Sequence, residues 1–344
     1  MNEIPDLIIG GKTHRTPFRG DDLPLVARLC RAAFHVYKRR WAKRLFKKPT
    51  RMFFDFCHQV LKLGGRGQMV LERPDGPVRL GFDAHHIHFR GVYDGNPDGN
   101  EPEVTTFMET MLRGDRVLFD IGANFGYLTL YAATIEGYSG AIHSFEPIDN
   151  TFKDLNDLVT QAGYEGRVTC HQIALSDHDG TAKMAFDPVN TGLSRLDGDT
   201  SGGKEVALAK LDSLDLPAPW LMKVDVEDHE LKTFQGAEAL LKKEKPFLIF
   251  ENWISKTEPQ TTLGPLRYLE GLGYVLYNPL WRISDQAGSY IWPTPSPPWP
   301  YETRALALVR FPAEGRFPFA DQINVVGCHR DRIVELQEEF SSCD

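Results

Sequence analysis

The chain has 344 residues, of which 42% are hydrophobic and 25% are charged, and its formal net charge is −8. These values are ordinary for a soluble globular protein with one large α/β domain and an extension, or with two domains. The five cysteines are scattered without a C-x-x-C pair, which argues against a disulfide framework or structural zinc and favours a reducing compartment. Because neither a signal-peptide pattern nor a membrane-spanning apolar run is found, the expected location is cytoplasmic.

Charge is divided unevenly along the chain. Residues 1–63 carry 14 Lys and Arg against 5 Asp and Glu, whereas the remaining residues carry a net charge of −17. An acidic body is a poor match for nucleic acid, because phosphate neutralisation dominates sequence-independent binding. We therefore expect no nucleic-acid partner and a separate role for the basic segment.

Residues 1–91 are interpreted as an N-terminal extension. Within residues 25–48, apolar residues recur every three or four positions among many Lys and Arg, which predicts a basic amphipathic helix. This helix either makes a peripheral membrane contact or docks on the acidic body with its basic face in solvent, and the second interpretation is favoured because such faces are common. The other elements expected in the extension are a short helix, Met52–Leu63, and strands near Gln68–Glu72, Val78–Phe82 and Ile87–Phe89.

Residues 92–344 are interpreted as the main domain, in which apolar strands alternate with helical patterns. The alternation predicts an α/β fold, with a mostly parallel sheet and helices on both faces. Strands are expected near Val117–Ile121, Ala141–Phe145, Val168–Ala174, Trp220–Val224, Pro246–Phe250, Tyr274–Tyr277 and Leu306–Phe311, the last being the final strand. Helices are expected near Glu101–Leu112, Tyr127–Glu136, Asn150–Gly163, Glu230–Lys243, Thr262–Leu272 and Arg330–Phe340. Residues 181–211 are typical of an inserted β-rich segment.

The first strand of the main domain runs into a glycine-rich turn with the spacing G-x-x-x-G, formed by Gly122 and Gly126. The dinucleotide fingerprint G-x-G-x-x-G has a middle glycine that lets the backbone approach a pyrophosphate, and that glycine is absent here. Asp120 would repel a pyrophosphate but attracts a cationic amine, and Glu146 is placed to accept hydrogen bonds from two ribose hydroxyls. The pattern therefore favours S-adenosylmethionine, which carries an ammonium and a sulfonium, over a degenerate NAD or FAD site or a βαβ unit without a ligand.

Carboxylates follow four of the predicted parallel strands, at Asp120, Glu146, Asp225 and Glu251. Ligands of open α/β sheets bind beyond the carboxyl ends of the strands, so these side chains are expected to share one site. Capping of the following helices is the structural alternative. The densest group is residues 225–230, which combines four acids with an imidazole.

Seven short motifs of the main domain form a specific set. They are Glu101-Pro102-Glu103, Asp120-Ile121-Gly122-Ala123-Asn124-Phe125-Gly126, Phe145-Glu146-Pro147, Ile173-Ala174-Leu175-Ser176, Lys223-Val224-Asp225-Val226-Glu227 with Glu230, Gly236-Ala237, and Pro246 with Glu251. Together they resemble the FkbM-type methyltransferase family over roughly residues 92–255. The resemblance implies a class I S-adenosylmethionine-dependent fold, Rossmann-like, with a seven-stranded sheet whose last strand is antiparallel. It also implies O-methylation, often of sugar hydroxyls in polysaccharides, glycolipids or glycosylated natural products.

The expected cofactor site has three parts. Backbone groups of the 122–126 turn are expected to contact the methionine moiety, Asp120 to attract its ammonium through water, and Glu146 to hold the ribose. The end of the strand at residues 174–175 is expected to pack near the adenine. The residues expected to bind S-adenosylmethionine are Asp120, Gly122, Ala123, Asn124, Gly126, Glu146, Pro147, Ala174, Leu175 and Asp225.

A proton acceptor is expected beside the methyl group, because a sugar hydroxyl has a very high pKa. The candidates are Asp225, Glu227, His229 and Glu251. Of these, only histidine has an unperturbed pKa near neutrality, although a solvated or capping role at the start of a helix is an equal alternative for it.

Two groups of side chains, one of acids and one of histidines, resemble metal sites, and neither is favoured as one. A Mg²⁺ ion held by Asp225 and neighbouring acids competes with the cofactor and capping roles of the same side chains. His86 and His88 would share one face of a strand, together with the adjacent His85, but no third ligand is evident.

One departure from the family pattern leaves other functions open. The pattern has Gly where this chain has Asp228, and glycine there allows a positive φ or a close approach of the backbone. The aspartate is expected to add charge and bulk beside the methyl end of the cofactor. The alternatives to a sugar O-methyltransferase are a small-molecule N-methyltransferase and a non-catalytic methyltransferase-like module that docks on a membrane or partner.

Overall fold

The computed structural model describes residues 4–12, 15–25, 28–29, 32, 49, 52–53, 56–61, 65–83, 86, 89, 100–185, 195–196, 204–293 and 303–341. The basic helix predicted over residues 25–48 lies almost entirely outside the described residues, as does most of the strand predicted at 87–89. Within the predicted helix at 52–63, residues 52–53 are helical and Phe56–Val60 form a π-helical turn. No helix in the described ranges has both the length and the apolar character needed to cross a membrane.

The strands in the described ranges are, in chain order, β1 (Leu7–Gly10), β2 (Phe18–Asp22), β3 (Arg66–Leu71), β4 (Val78–Asp83), β5 (Leu118–Ile121), β6 (Ile142–Phe145), β7 (Val168–His171), β8 (Ala174–Leu175), β9 (Gly180–Ala185), β10 (Arg195–Leu196), β11 (Lys204–Ala209), β12 (Leu221–Val224), β13 (Phe247–Trp253), β14 (Tyr274–Asp285), β15 (Gly288–Trp292), β16 (Thr303–Arg310) and β17 (Gln322–His329). The α-helices are α1 (Pro102–Met111), α2 (Tyr127–Ala133), α3 (Asp149–Gln161), α4 (Glu230–Gln235), α5 (Glu238–Glu244), α6 (Pro259–Gly271) and α7 (Ile333–Ser341). Short 3-10 turns lie at Leu211–Ser213, Ala313–Gly315 and Arg330–Arg332.

A ten-stranded sheet forms the centre of the molecule. Its core has the order β7-β6-β5-β12-β13-β17-β14, in which the first five strands are parallel and β17 is antiparallel to both of its neighbours. This confirms the predicted class I methyltransferase sheet of seven strands with an antiparallel last strand. Beyond β14 the sheet continues with β16 and β1, and β15 forms a hairpin with β14.

Helices cover both faces of this sheet. One core cluster joins the sheet to α1, α2, α3 and α7, through side chains such as Phe107 and Leu336. The second core cluster joins the opposite face to α4, α5 and α6, through side chains such as Phe234 and Leu266. Within β5, Leu118 belongs to the first cluster and Phe119 to the second, since successive side chains of a strand point to opposite faces.

Two sequence predictions in this domain were wrong. Residues 306–311 do not contain the final strand, because β17 follows and inserts between β13 and β14, while β16 lies outside the core seven. The single helix predicted at 230–243 is two helices, α4 and α5, which meet at Gly236. A Cβ at Gly236 would lie 1.8 Å from the carbonyl oxygen of Ser176, so the backbones touch at this break.

The strands of the N-terminal extension contact the main domain in two ways. Its first strand, β1, pairs with β16 and so belongs to the main sheet. Strands β2, β3 and β4 form a separate sheet that packs on α3, where the Gln161 side chain accepts from the Gly81 N–H at 2.6 Å and donates to its carbonyl at 3.1 Å. The predicted β-rich insertion is confirmed as a sheet with the order β10-β9-β11-β8.

Candidate functional site

A cleft opens beside the carboxyl ends of β5, β6, β8 and β12. The chain leaves β5 toward β6 on one side and later returns to pair β12 on the other, so the cleft lies at the switch in strand order where α/β sheets bind ligands. Its lining residues are Ile121, Gly122, Asn124, Phe145, Glu146, Pro147, Ile148, Ile173, Ala174, Leu175, Met184, Asp225, Val226, Glu227 and His229.

The glycine-rich turn after β5 has already used its hydrogen-bond donors. Each of the five N–H groups from Gly122 to Gly126 donates within the protein: those of 122 and 123 to the carbonyl of Phe145, that of 124 to the Glu146 carboxylate, that of 125 to the Asn124 side chain and that of 126 to the carbonyl of 123. A phosphate-binding turn needs such N–H groups pointing at the anion. This turn therefore has its backbone N–H groups engaged and does not present them to a phosphate.

At the end of β6, the Glu146 carboxylate accepts hydrogen bonds from three groups of the protein. Its carboxylate accepts from the N–H of Asn124 at 3.0 Å, from the N–H of Ile148 at 2.9 Å and from the Thr151 hydroxyl at 2.9 Å. Burial raises the pKa of Glu146, and these hydrogen bonds oppose the rise. A carboxylate offers about four acceptor positions, so Glu146 keeps capacity for a ligand hydroxyl on the cleft side.

Lys223 joins the acids at the strand ends into one network. Its ammonium donates to the Gly122 carbonyl at 3.0 Å and lies 3.5 Å from Asp120 Oδ1 and 3.6 Å from Asp225 Oδ2. Burial alone would lower the pKa of this lysine, but the surrounding carboxylates, led by Asp225, raise it above its usual value. Asp120 is fully buried, and its other oxygen accepts from the Thr129 hydroxyl at 2.6 Å. Lys223 thus compensates charge that would otherwise be buried without a counterion.

Three of the predicted catalytic carboxylates converge next to this lysine. Each of Asp225, Glu227 and Glu251 places one carboxylate oxygen within 4.8 Å of the others. Glu251 accepts from the Trp253 indole N–H at 2.7 Å and from the Gln322 amide. Burial, followed by the charge of Asp225, raises the pKa of Glu251 to about 9. The same trio would hold a Mg²⁺ ion in the metal alternative, although the ammonium of Lys223 already places a positive charge there.

Glu101 extends the acidic network from the N-cap of α1. It has a left-handed backbone with φ 48°, which is uncommon for a non-glycine residue. Burial, followed by the charge of Asp225, raises the pKa of Glu101 to about 8, and Lys223 opposes the rise. In the sequence, Glu101 is recognisable only as part of a family motif, and no role was predicted for it.

His229 lies at the N-cap of α4, on the side of the cleft formed by the β8 segment. Its Nε2 is 3.0 Å from the hydroxyl of Ser176, and burial lowers the pKa of the imidazole to about 4. An imidazole with this pKa is a weaker base than one with the unperturbed value near neutrality, on which the prediction of a proton acceptor was based. Its position at the start of a helix and its hydroxyl partner favour the structural alternative.

Asp228 is exposed and lies outside the set of cleft-lining residues, so the expected crowding of the methyl end is not seen. Its φ is 70°, and that of the preceding Glu227 is 50°. Left-handed backbone is the conformation in which glycine has no steric penalty, which gives a physical reason for the glycine in the family pattern. Here an aspartate adopts the conformation instead.

Asp228→Gly is expected to raise the free energy of unfolding by about 1 kcal/mol, because it removes left-handed strain and a negative charge that raises the pKa of nearby Glu230. Asp228→Ala, which removes the same charge but keeps the left-handed strain, should stabilise the protein less than Asp228→Gly does. Urea unfolding of both variants checks this prediction. A loss of stability in the glycine variant would mean that the aspartate side chain makes a contact worth more than the strain it imposes.

The predicted site residues divide into two groups. Gly122, Asn124, Glu146, Pro147, Ala174, Leu175, Asp225, Glu227 and His229 line the cleft, whereas Asp120, Ala123, Gly126 and Glu251 stand behind it. No catalytic or binding role was predicted from the sequence for Lys223, Thr151 or Met184. The lysine did leave a signal, since a charged residue within the apolar strand Leu-Met-Lys-Val requires a partner wherever that strand is buried on both faces.

Part of the chain is similar to known methyltransferases. Residues 120–276 match the family model described as the methyltransferase FkbM domain. The chain is 36% identical over 95 residues to the 31-O-demethyl-FK506 methyltransferase FkbM of Streptomyces tacrolimicus, which covers 28% of this chain and 35% of that protein. It is 28% identical over 141 residues to the hexuronic acid methyltransferase AglP of Haloferax volcanii, which covers 40% of this chain and 56% of that protein.

Solved structures of methyltransferases are also similar to this chain. Among them is methyltransferase FkbM from Methylobacillus flagellatus KT, with 17% sequence identity, a TM-score of 0.37 and coverage of 58% of this chain and 47% of that one. The chain spans about a third and about half of the lengths of the two curated relatives. Residues 120–276 therefore match a methyltransferase FkbM domain, and the resemblance found from the sequence motifs is confirmed over that part of the chain.

Proposed function

We propose that this protein transfers a methyl group from S-adenosylmethionine to a hydroxyl of a sugar in a polysaccharide, a glycolipid or a glycosylated metabolite. The observation that carries the choice of cofactor is the glycine-rich turn, whose five N–H groups are all engaged within the protein. Such a turn does not suit the pyrophosphate of NAD or FAD. Carbonyl oxygens and nearby carboxylates instead suit a ligand with two positive charges.

The residues around the cleft fit this cofactor part by part. Glu146 would accept from the ribose hydroxyls, and Ala174 and Leu175 would pack against the adenine. The acidic network around Asp120 and Asp225 would attract the ammonium. When bound, S-adenosylmethionine supplies an electrophilic methyl group on a positively charged sulfur. The protein's remaining task is to hold an acceptor oxygen in line with that methyl group, which alone supplies a large part of the acceleration.

The carboxylate trio supports a hydroxyl acceptor. Neighbouring hydroxyls of a sugar could donate to Asp225 and Glu227, which line the cleft, and Glu251 has a carboxylate oxygen within 4.8 Å of theirs. With a pKa of about 9, Glu251 is protonated at neutral pH and is therefore not the proton acceptor. Asp225 and Glu227 are then the proposed proton acceptors. The relatives named for a 31-O-methylation and for a hexuronic acid lend further support to a sugar or hydroxyl substrate.

Glu146→Ala is expected to weaken binding of S-adenosylmethionine about 100-fold, because hydrogen bonding between the ribose and a charged group is lost and the N–H of Asn124 in the turn loses its acceptor. The matched control is Asp149→Asn, an exposed acid three residues away that pairs with Lys204 and should leave the affinity unchanged. Isothermal titration calorimetry measures both. If the wild-type protein binds no S-adenosylmethionine, the catalytic proposal fails and the non-catalytic alternative replaces it.

The acceptor is identified by incubating the protein with methyl-labelled cofactor and separate glycan, glycolipid and small-molecule fractions. The expected product carries the label as a methyl ether on a sugar. Label on an amine would instead favour the small-molecule N-methyltransferase alternative. Glu227→Gln should retain cofactor binding better than it retains label transfer, since the proposed role of Glu227 is at the acceptor alone.

A further inference from the structure

Glu101, the N-cap residue of α1, has a strained backbone and a side chain that does not cap the helix. Its φ of 48° and ψ of 63° lie in the left-handed region, where a residue other than glycine carries a steric cost. The carboxyl group makes no capping hydrogen bond to α1, so the cost is not offset at the helix. Within the described residues, the groups that influence this carboxyl are charges rather than hydrogen-bond donors. Strain of this kind often marks a functional site.

Contacts on either side place Glu101 over the carboxyl ends of the central strands. The N–H of the preceding residue donates to the Tyr127 hydroxyl at 3.1 Å, and Tyr127 directly follows the glycine-rich turn after β5. Two residues after Glu101, Glu103 is buried and accepts from the Asn324 amide at 3.0 Å. Asn324 of β17 is paired with Glu251 of β13. The start of α1 is therefore held between the turn after β5 and the position of Glu251 in β13.

The side chain of Glu101 shares its surroundings with the acids of the site. After burial, the largest influences on the pKa of Glu101 are the charges of Asp225 and Lys223. The pKa of Glu251 is raised by burial, then by Asp225, and also by Glu101. Since Asp225 lines the cleft, these charges place the Glu101 carboxyl near the acidic end of the cleft. Glu101 itself does not line the cleft, but part of its surface stays accessible, so it borders the space next to it.

The order of the strands separates this acidic end from the proposed cofactor contacts. In the order β6-β5-β12-β13, Glu146 follows β6, Asp225 follows β12 and Glu251 belongs to β13. A cofactor with its ribose at Glu146 and its adenine at the β8 segment, as proposed above, would direct its methyl group toward Asp225. An acceptor would then approach from beyond Asp225, which is the side on which Glu101 lies.

A purely structural role explains Glu101 less well. A structural acid is expected to cap a helix or to pair with a donor, as Glu103 does with Asn324. Glu101 instead adds a further acid next to Asp225, although Lys223 already lies between Asp225 and another buried acid. This arrangement lowers stability, and a ligand that hydrogen-bonds to the carboxyl group gives a reason for it.

We propose that Glu101 is a further acceptor-binding residue, whose carboxyl group forms a hydrogen bond with the acceptor sugar and so helps to hold the reacting hydroxyl in line with the methyl group. The inference rests on the proposed function and adds a contact to those of Asp225 and Glu227. Glu101 exchanges no proton in the transfer, which leaves that task to those two carboxylates. An acceptor held from two sides has less freedom to lose in the transition state, which favours the reaction.

Glu101→Gly should separate stability from activity. It removes the left-handed strain and a buried acid next to other acids, so the melting temperature is expected to rise by about 1–3 °C. Label transfer to the fraction that the wild type methylates should fall about 100-fold, because a hydrogen bond to the acceptor is lost. Thermal unfolding and the labelled-cofactor assay measure the two effects. A lower melting temperature, or transfer equal to that of the wild type, would overturn the proposal.

Lys245→Gly is the matched control for the backbone change. Lys245, the C-cap residue of α5, has a φ of 51°, so its replacement relieves the same kind of strain. Its side chain pairs with the exposed Asp331, and exposed ion pairs contribute little to stability. This variant should transfer label as the wild type does. A comparable loss of transfer in Lys245→Gly would assign the loss to glycine replacement rather than to the missing carboxyl group, and would overturn the proposal.

Glu101→Gln and Glu103→Gln compare the two acids at the start of α1. Glu101→Gln keeps the side-chain volume and the left-handed backbone but removes the charge. It is expected to lower the rate of transfer about 10-fold at limiting amounts of the acceptor fraction, and less at saturating amounts. Glu103→Gln retains an oxygen that can accept from Asn324, so it should transfer label as the wild type does. Equal losses in both variants would indicate a structural role for this segment and contradict the proposal.

Calorimetry with S-adenosylmethionine distinguishes a role at the acceptor from a role at the cofactor. Both Glu101 variants are expected to bind the cofactor as the wild type does. A loss of cofactor affinity that accounts for the whole loss of transfer would place Glu101 at the cofactor and overturn the inference. If the wild type binds no cofactor or labels no fraction, the proposed function fails and this inference fails with it. Wild-type transfer that the Glu101 variants retain in full would remove the inference alone.

Discussion

Gly122→Ala is expected to destabilise the protein by roughly 3 kcal/mol or more and to abolish binding of S-adenosylmethionine. Gly122 has φ 77°, and a Cβ built on it would lie 1.8 Å from the carbonyl oxygen of Asp225. That oxygen belongs to backbone, so it cannot rotate away as a flexible side chain would. Either β5 and the segment after β12 must move apart, or the turn must change its conformation, and both changes distort the cleft.

Gly137→Ala is the matched control. Gly137 has φ 74°, nearly the same as that of Gly122, but a Cβ there meets nothing within 4 Å. This variant therefore carries only the cost of a left-handed backbone, about 1–2 kcal/mol, and should keep full cofactor affinity. Urea unfolding and calorimetry on the pair isolate the contribution of the close approach. Equal losses in both variants would show that the contact between the turn and Asp225 is unimportant.

Lys223→Met is expected to lower the free energy of unfolding by about 3–5 kcal/mol, because it leaves buried carboxylates without their counterion. Lys223 is only 6% exposed and lies between Asp120 and Asp225. The methionine preserves most of the side-chain volume, so packing changes little. Lys204→Met, which removes an exposed ion pair with Asp149, should have little effect. A small effect of Lys223→Met would contradict the idea that the network depends on this ammonium.

The loss of unfolding free energy caused by Lys223→Met should change with pH. The folded-state pKa values of Glu101 and Glu251, about 8 and about 9, are raised above their ordinary values. A carboxyl group with a raised folded pKa binds more protons when folded, so the stability it confers is present at low pH and is lost as pH rises toward the folded pKa. Removing Lys223 raises the pKa of Glu101 further, since the lysine lowers it. The loss of stability should therefore be nearly constant between about pH 5 and 7 and grow above about pH 8, where Glu101 ionises in the folded wild type but not in the folded variant, as measured by urea unfolding from about pH 5 to 9.

The sequence predicted those parts of the fold that rest on local pattern. The strand before Gly122, the turn itself and the carboxylate at Glu146 were predicted because each has a composition tied to one geometry. The parallel core followed from the alternation of strands and helices. The cleft joins residues from four strands, and the prediction that the strand-end acids meet was made from the general geometry of parallel sheets.

The parts that the sequence did not predict depend on tertiary contacts. The residues of β17 include Asn324 and Gly327 and give a weak strand pattern, yet the strand is buried because β13 and β14 pair with it on both sides. The roles of Lys223 and Glu101 depend on which charges surround them, and those neighbours come from β5, β12 and β13. Nothing in the local sequence around either residue specifies that neighbourhood.

The pairing of β1 with β16 has a consequence for synthesis of the chain. Residues 7–10 have their hydrogen-bonding partners at 306–309, and the N–H of Gly11 donates to the carbonyl of Phe340 at 3.2 Å. Because a chain emerges from the ribosome N-terminus first, β1 has no partner strand until about 300 further residues have been made. Until then this unpaired apolar strand is available to chaperones or to a neighbouring nascent chain.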